Sequence, residues 1–277
     1  MSTLKSFNHL ILLALFVGSL PFTQANEKPS DEISNPLIVQ PFLATYSILH
    51  KSDPVGTSTR TLKKLVDGNF EYSYHSKIKW LIFSDKRRET SILKVDDNKV
   101  IPISYLYKRK GTGRDKSYHW SFDHNESTAT NIKDNRTIKL DITNGLQDKL
   151  SYHLQHRINL IKAYETPDTE DIAKKNSFSY SVVSTSGSIK DYVYQNDGEE
   201  ELVLPYGLIK TVRFKREVLE KKRVTYAWFA PELDFLLVKL YQVKAGVEQF
   251  EAQLTTLTVN DVITNDSSLK KSTTAND

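Results

Sequence analysis

From Phe42 onward, apolar and polar residues alternate in short runs, and clusters of turn-forming residues separate the runs. Alternation with a period of two marks half-buried β-strands. "FLATYSILHK" opens the series. In "RTLKKLVDGNFEYSYHSKIKWLIF" the triplet Asp67-Gly68-Asn69 predicts a hairpin, because Gly supplies the positive φ of a tight turn. Phe70, Tyr72 and Tyr74 then alternate with polar neighbours. "SDKRRE", "DDNK" and "GTGRDK" read as turns between "TSILKV", "VIPISYLYKRK" and "SYHWSFDH". Neighbours in sequence are expected to pair in space, as in a meander.

One stretch changes period. In "NGLQDKLSYHLQHRINLIKAY" the residues Leu146, Leu150, Leu154, Ile158 and Ile161 recur at helical spacing, with Asn144 or Asp148 as candidate cap. "TPDTEDIAKKN" reads as a loop. Strands resume with "SFSYSVVS" and "IKDYVYQN" on either side of Gly187, then "EEELVLPYG" and "LIKTVRFKREVL". In the last of these, Leu208, Val212 and Phe214 are placed on one face with Lys210 and Arg216. "EKK" turns into "RVTYAWFAP", with Val224, Tyr226 and Trp228 on one face and Thr225, Ala227 and Phe229 on the other. Pro231 cannot donate to a ladder, so the strand is expected to stop there. "ELD" forms a corner, "FLLVKLYQV" returns, and "EQFEAQLTTLTV" follows the turn at Gly246. The expected fold is mainly β: a curved antiparallel sheet or open barrel with one amphipathic helix packed against it.

The ends of the chain read differently. Residues 1–25 carry Lys5, the apolar run "LILLALFVGSLPF" and a small-residue site ending at Ala25, the pattern of a cleaved signal peptide. Residues 26–40 form a polar leader, residues 41–260 a single β-rich domain, and residues 261–277 a polar tail expected to be disordered. No segment after the leader has the run of apolar residues that a membrane-spanning helix needs, so the product is not expected to be integral to the membrane.

Composition narrows the chemistry. The chain has 277 residues and no Cys, which excludes disulfides, thiol catalysis and thiolate metal sites. The net charge of +4, with both signs interspersed, does not suit a nucleic-acid binder. Fourteen Tyr, twelve Phe and three Trp supply both core and candidate ligand contacts.

"QDKLSYHLQHR", "LPYGLIKTVRFKR" and "YAWFAPELDFLLVKLYQVKAGVEQFEAQLTTL" together resemble a bacterial exported family catalogued as domain of unknown function 3108. The resemblance covers about Ala44 to Val259. It rests on Asp148 and Ser151 at the helix start, Gly207 before a strand, and Trp228, Pro231 and Asp234 at the corner. Leu237 stands where the family usually has Pro. The resemblance implies a β-rich periplasmic protein of a Gram-negative bacterium, and it implies no catalytic residues.

No nucleophile, cofactor motif or metal motif is announced. His153 and His156 lie three apart on the predicted helix and lack a local third ligand. His119 and His124 flank Asp123. Ser186-Gly187 lacks the nucleophile-elbow pattern, and Gly111–Gly113 precedes no helix. Asp197–Glu201 lacks calcium-loop spacing and reads as a charged turn. Basic clusters are expected at hairpin tips: Lys108, Arg109, Lys110, Arg114 and Lys116, with Lys221, Lys222 and Arg223, and with Lys86, Arg87 and Arg88. They read as solubilising, edge-protecting charge or as contacts for lipid phosphates or an acidic partner.

Aromatic residues on a concave face could enclose an apolar ligand, and Tyr72, Tyr74, Trp120, Tyr226 and Trp228 are the candidates. The expected function is a non-enzymatic envelope protein that binds an apolar or lipid-like ligand or an envelope partner. The alternatives are a periplasmic hydrolase using His153 and His156, or His119 with Asp123, and a structural or assembly factor. No cofactor is expected, and the sequence does not set the oligomeric state.

Overall fold

The computed structural model describes residues 39–140, 145–165 and 176–259. The expected signal peptide, nearly all of the polar leader and the tail lie outside the described residues, as do Asn144 and most of the loop after the helix. Strands β1 (Phe42–His50), β2 (Asp53–Lys64), β3 (Phe70–Trp80), β4 (Phe83–Asp96), β5 (Lys99–Gly111) and β6 (Lys116–Asp123) form one run of hairpins. It ends in the short β7 (Thr128–Asn131) and β8 (Arg136–Lys139). A two-residue β9 (Gln147–Asp148) precedes the helix α1 (Ser151–Glu165). The second run comprises β10 (Ser177–Val183), β11 (Ile189–Leu204), β12 (Gly207–Val218), β13 (Arg223–Ala230), β14 (Leu236–Lys244) and β15 (Val247–Val259).

All described strands belong to one sheet with the order β8-β7-β6-β5-β4-β3-β2-β1-β15-β14-β13-β12-β11-β10-β9. Each pairing is antiparallel except that of β9 with β10. Two local meanders are therefore joined at the centre by β1 and β15, where Phe42 faces Val259 and Tyr46 faces Leu254. A sheet this wide curls, because each strand adds to a twist of fixed hand. Side chains and one turn, not a backbone ladder, bring its flanks together. The Trp120 indole N–H on β6 donates to the Thr185 carbonyl at 3.1 Å, and Arg136 on β8 donates to the Ser186 carbonyl at 2.9 Å. Gln147 on β9 donates to the Val100 carbonyl on β5 at 2.7 Å.

The helix fills the enclosed space. The Asp148 carboxylate accepts from the backbone N–H groups of Leu150 and Ser151 at 2.7 and 2.8 Å, and the Ser151 hydroxyl accepts from the Asp148 N–H at 2.9 Å. This reciprocal arrangement satisfies donors that the first helical turn leaves free. Arg157 donates to the carbonyls of Asp234 and Leu233 at 2.7 and 3.0 Å, pinning the helix to the corner between β13 and β14. Tyr152, Leu154, His156, Arg157, Ile158, Leu160 and Ile161 are all buried. They cover about two-thirds of the helix circumference, and Gln155, Asn159 and Lys162 form the polar stripe that remains, so the helix is amphipathic with a wide buried face. The sheet wraps it instead of offering it one flat face. Each fully buried Leu or Ile in this core, such as Leu62, Leu93, Leu154 and Ile158, contributes about 1.5–3 kcal/mol.

Several expected details are corrected. "SDKRRE" is not a turn but lies inside β4. The chain reverses at Leu81-Ile82, since Trp80 pairs with Phe83. A charged run can remain in a strand when one or both faces meet water. Lys108, Arg109 and Lys110 accordingly lie within β5 and not at a tip, while Arg114 does occupy the β5–β6 turn and Lys116 begins β6. Asp197–Glu201 is not a turn either: β11 runs through it with a bulge between Asn196 and Glu199, where Gly198 has φ +101°. Leu208 is exposed, and Ile209 takes the buried position. The sequence reading also missed β7 and β8, whose four-residue stretches carry little apolar signal.

Candidate functional site

Paired residues in an antiparallel ladder share a face, so the register defines the inner surface. One inner row runs Arg60–Tyr74–Glu89–Tyr107–Tyr118 across β2 to β6. The next runs Leu62–Tyr72–Ser91–Tyr105–Trp120. Where the first row meets the helix start, a cavity of about 140 Å³ remains. Tyr46, Leu150, Leu237, Leu240, Phe250 and Ala252 give it apolar walls. Arg60, Lys149, His153, Glu89 and Ser58 give it polar ones.

Arg60 is the unusual member. It is buried on the inner side of β2, between Ser58 and Leu62. One guanidinium nitrogen donates to the Tyr72 hydroxyl at 3.1 Å, and the group lies 5.2 Å from the centre of the Tyr74 ring. Among the described residues no carboxylate comes within ion-pair distance of it. Glu89, the acid on the same wall, accepts a 2.5 Å hydrogen bond from the Tyr105 hydroxyl. Burial, helped by Arg60 and by other nearby cations including Lys149, pushes the His153 imidazole well below its ordinary value and keeps it neutral. Lys149 sits 5.7 Å from the Tyr107 ring centre. The cavity therefore combines a greasy wall with two cationic groups, Arg60 and Lys149, and neither is in an ion pair among the described residues.

The aromatic candidates divide between two faces. Tyr74 lines the cavity, and Tyr72 lines a small cleft beside it that also contains Arg60 and His153. Trp120 is completely buried and clasped to the 184–188 turn. Tyr226 and Trp228 lie on the opposite, outer face of the sheet. There the Trp228 indole N–H donates to Glu200 at 2.7 Å, Lys239 sits 5.0 Å from its ring centre, and Tyr226 stacks with Tyr241. Arg109 faces inward and forms a 2.6 Å ion pair with Asp85, while Lys108 and Lys110 face outward. Although burial opposes ionisation, hydrogen bonds from Arg87 and Arg109 hold the Asp85 carboxyl below its usual range.

Among the described residues the histidines do not assemble into a centre. His156 lies within a cage of Phe178, Tyr194, Phe214 and Phe229, and its Nδ1 is 2.8 Å from the Tyr180 hydroxyl. Asn159 donates to that same hydroxyl oxygen at 3.2 Å, and His156 Nε2 has no hydrogen-bond partner among the described residues. Burial drives the His156 pKa down to about 3. Asp123 caps its own turn by accepting from the N–H groups of Asn125 and Glu126, and His124 bonds the Pro102 carbonyl. Among the described residues no group of three His, Cys, Asp or Glu side chains is placed to hold a metal ion. Sequence reasoning missed Arg60. The one available signal was that Arg60 shares the parity of Leu62, two residues on.

Fold and site together define a mostly β protein: a large open sheet, curled into a barrel-like form around one buried helix. The profile of the family described as "Protein of unknown function (DUF3108)" matches residues 45–255, and the chain belongs to that family. No curated protein matches it. The fold is similar to that of the β-barrel-like protein of domain of unknown function DUF1849 from Brucella abortus, with a TM-score of 0.58 at 9% identity. That similarity covers 80% of this chain and 99% of the other, and at this identity it concerns fold alone. No helix among the described residues is long and apolar enough to cross a membrane. The residues that carry the family pattern are structural: Asp148 and Ser151 cap the helix, Pro231 ends β13, and Asp234 receives Arg157.

Proposed function

We propose that this protein is a non-enzymatic binding protein of the Gram-negative periplasm that holds a small anionic amphiphile in the cavity between β2, β3 and the helix start. The supporting observation is Arg60, a buried cation on the cavity wall with no carboxylate partner among the described residues. A buried charge without compensation is costly, and an anionic headgroup would supply it. Leu237, Leu240 and Phe250 offer the apolar surface that the rest of such a ligand requires. The export signal and the family resemblance support the compartment, which cell fractionation tests directly.

The ligand reading is tested with hexanoate and hexanol as probes, sized to the cavity of about 140 Å³, together with mass spectrometry of an organic extract of the purified full chain. Hexanoate is expected to bind more tightly than the alcohol, and Arg60→Met is expected to weaken hexanoate at least about tenfold, the loss of a charge-assisted contact worth roughly 1.5–3 kcal/mol. A clean extract together with equal, negligible binding of both probes would sink the reading.

A further inference from the structure

The β3–β4 hairpin ends in four consecutive apolar residues that face water. Trp80 is 42% exposed, Leu81 76%, Ile82 87% and Phe83 51%. Trp80 and Phe83 form the last ladder pair and their rings stack at 6.4 Å, so Leu81 and Ile82 alone make the turn. Leu81 has φ +50°. Two-residue hairpin turns favour Gly, Asn or Asp at such positions, because a large side chain is strained there. The sequence instead places two large aliphatic residues where neither turn geometry nor hydration favours them.

Behind this tip the outer face is basic. Lys77, Lys86 and Lys110 form one cross-strand row, and His75, Arg88 and Lys108 form the next. All six are exposed, and among the described residues none makes an ion pair. The neck of the hairpin is held firmly: Ser84 and Thr112 exchange two hydrogen bonds at 2.8 and 3.0 Å, and Asp85 bonds both Arg87 and Arg109. The result is a braced apolar wedge with a cationic collar.

We infer that this hairpin is the docking surface for an anionic phospholipid bilayer. Leu81 and Ile82 enter the acyl boundary, Trp80 and Phe83 lie at headgroup level, and the two basic rows meet lipid phosphates. Four residues are too few for a stable protein interface, which buries roughly 800 Å² on each partner. A second copy would also bring the two basic collars against each other. Each cation within reach of the surface is expected to strengthen partitioning about fivefold. The inference rests on the hairpin and its collar and does not depend on the ligand of the cavity.

The test is co-sedimentation of the full chain with phosphatidylcholine vesicles, with and without phosphatidylglycerol. Binding is expected only with phosphatidylglycerol and is expected to weaken as salt rises. Trp80, the most exposed of the three Trp, is expected to shift its emission to the blue on binding. The pair Leu81→Ser with Ile82→Ser is expected to lose at least about tenfold in partitioning with the melting temperature unchanged or raised, and Lys77→Glu with Lys86→Glu is expected to lose the dependence on anionic lipid. Arg60→Met is expected to bind vesicles like the wild type, which separates this surface from the cavity. Failure of the wild type to sediment with phosphatidylglycerol vesicles overturns the inference. So does unchanged binding by the Leu81/Ile82 variant, or a concentration-dependent dimer that this variant abolishes without any vesicle binding.

Discussion

Gly187 stands so close to Trp120 that a β-carbon on it would fall 2.7 Å from the indole Cη2 atom. The glycine also has φ +89°, a conformation that L side chains rarely adopt. This contact seals one flank of the curled sheet against the other, in concert with the Trp120 N–H bond to Thr185. Gly187→Ala is therefore expected to destabilise by about 2–4 kcal/mol, from backbone strain and overpacking together. Urea unfolding monitored by Trp fluorescence measures it, and a loss below about 0.5 kcal/mol would mean the flanks are not sealed here.

Arg157 joins the helix to the corner through two backbone carbonyls. Arg157→Met keeps much of the side-chain volume but leaves those carbonyls without donors. A loss of about 2–4 kcal/mol is expected. Arg157→Lys is expected to recover little of it, because a single ammonium cannot reproduce the planar fork. Equal stability of the Lys variant and the wild type in thermal unfolding would contradict the assigned geometry.

Stability against acid is expected to reflect two buried groups of opposite sign. His156 is pushed from 6.5 to about 3, so the unfolded chain binds more protons between those values. Its contribution is present above pH 6.5 and is lost as pH falls toward 3. Asp148 is raised from 3.8 to about 6 by burial, so its contribution is present below pH 3.8 and is lost as pH rises through 6. His156→Phe is expected to flatten the fall in melting temperature on acidification. Asp148→Asn, which can still cap through its side-chain oxygen, is expected to steepen that fall and to gain on the order of 3 kcal/mol relative to wild type between pH 4 and pH 7. Melting curves across this range decide both, and parallel profiles for all three proteins would refute the assignment.

Trp228 shares Glu200 with Arg213, whose guanidinium lies 2.8 Å from the same carboxylate oxygen. Trp228→Phe should cost about 1–2 kcal/mol through the lost hydrogen bond and reduced packing. Because the residue sits on the outer face, hexanoate binding should not change. A selective loss of hexanoate affinity in this variant would move the ligand site from the cavity to the outer face.

The elements that sequence alone made legible had strong local punctuation. Asp67-Gly68-Asn69 and Pro231 each end a strand for reasons internal to the residue. The helix declared itself through its Leu/Ile spacing, but the width of its buried face, which takes in His156 and Arg157, did not, since the enclosing strands come from distant parts of the chain. The Leu81-Ile82 turn was hidden because its residues are those of a strand and the charges beside it look like a turn. Arg60, Lys149 and His153 were unreadable as a group, because only the curl of the sheet carries β2 against the helix start. The partition of the aromatic candidates had the same origin: alternation assigns faces within a strand and does not say which face becomes the inner one.

Because Phe42 on β1 and Val259 on β15 are cross-strand partners, the first and last described strands lie side by side in the middle of the sheet. The gap that a circular permutant must bridge is thus a single interstrand spacing. A short Gly/Ser linker from Val259 to Phe42, with new termini cut at Asp67-Gly68, should preserve each ladder. It would also turn the longest-range pairing among the described strands, β1 with β15, into a hairpin and make β2 with β3 the long-range pair instead, so such a permutant should fold at about the native rate.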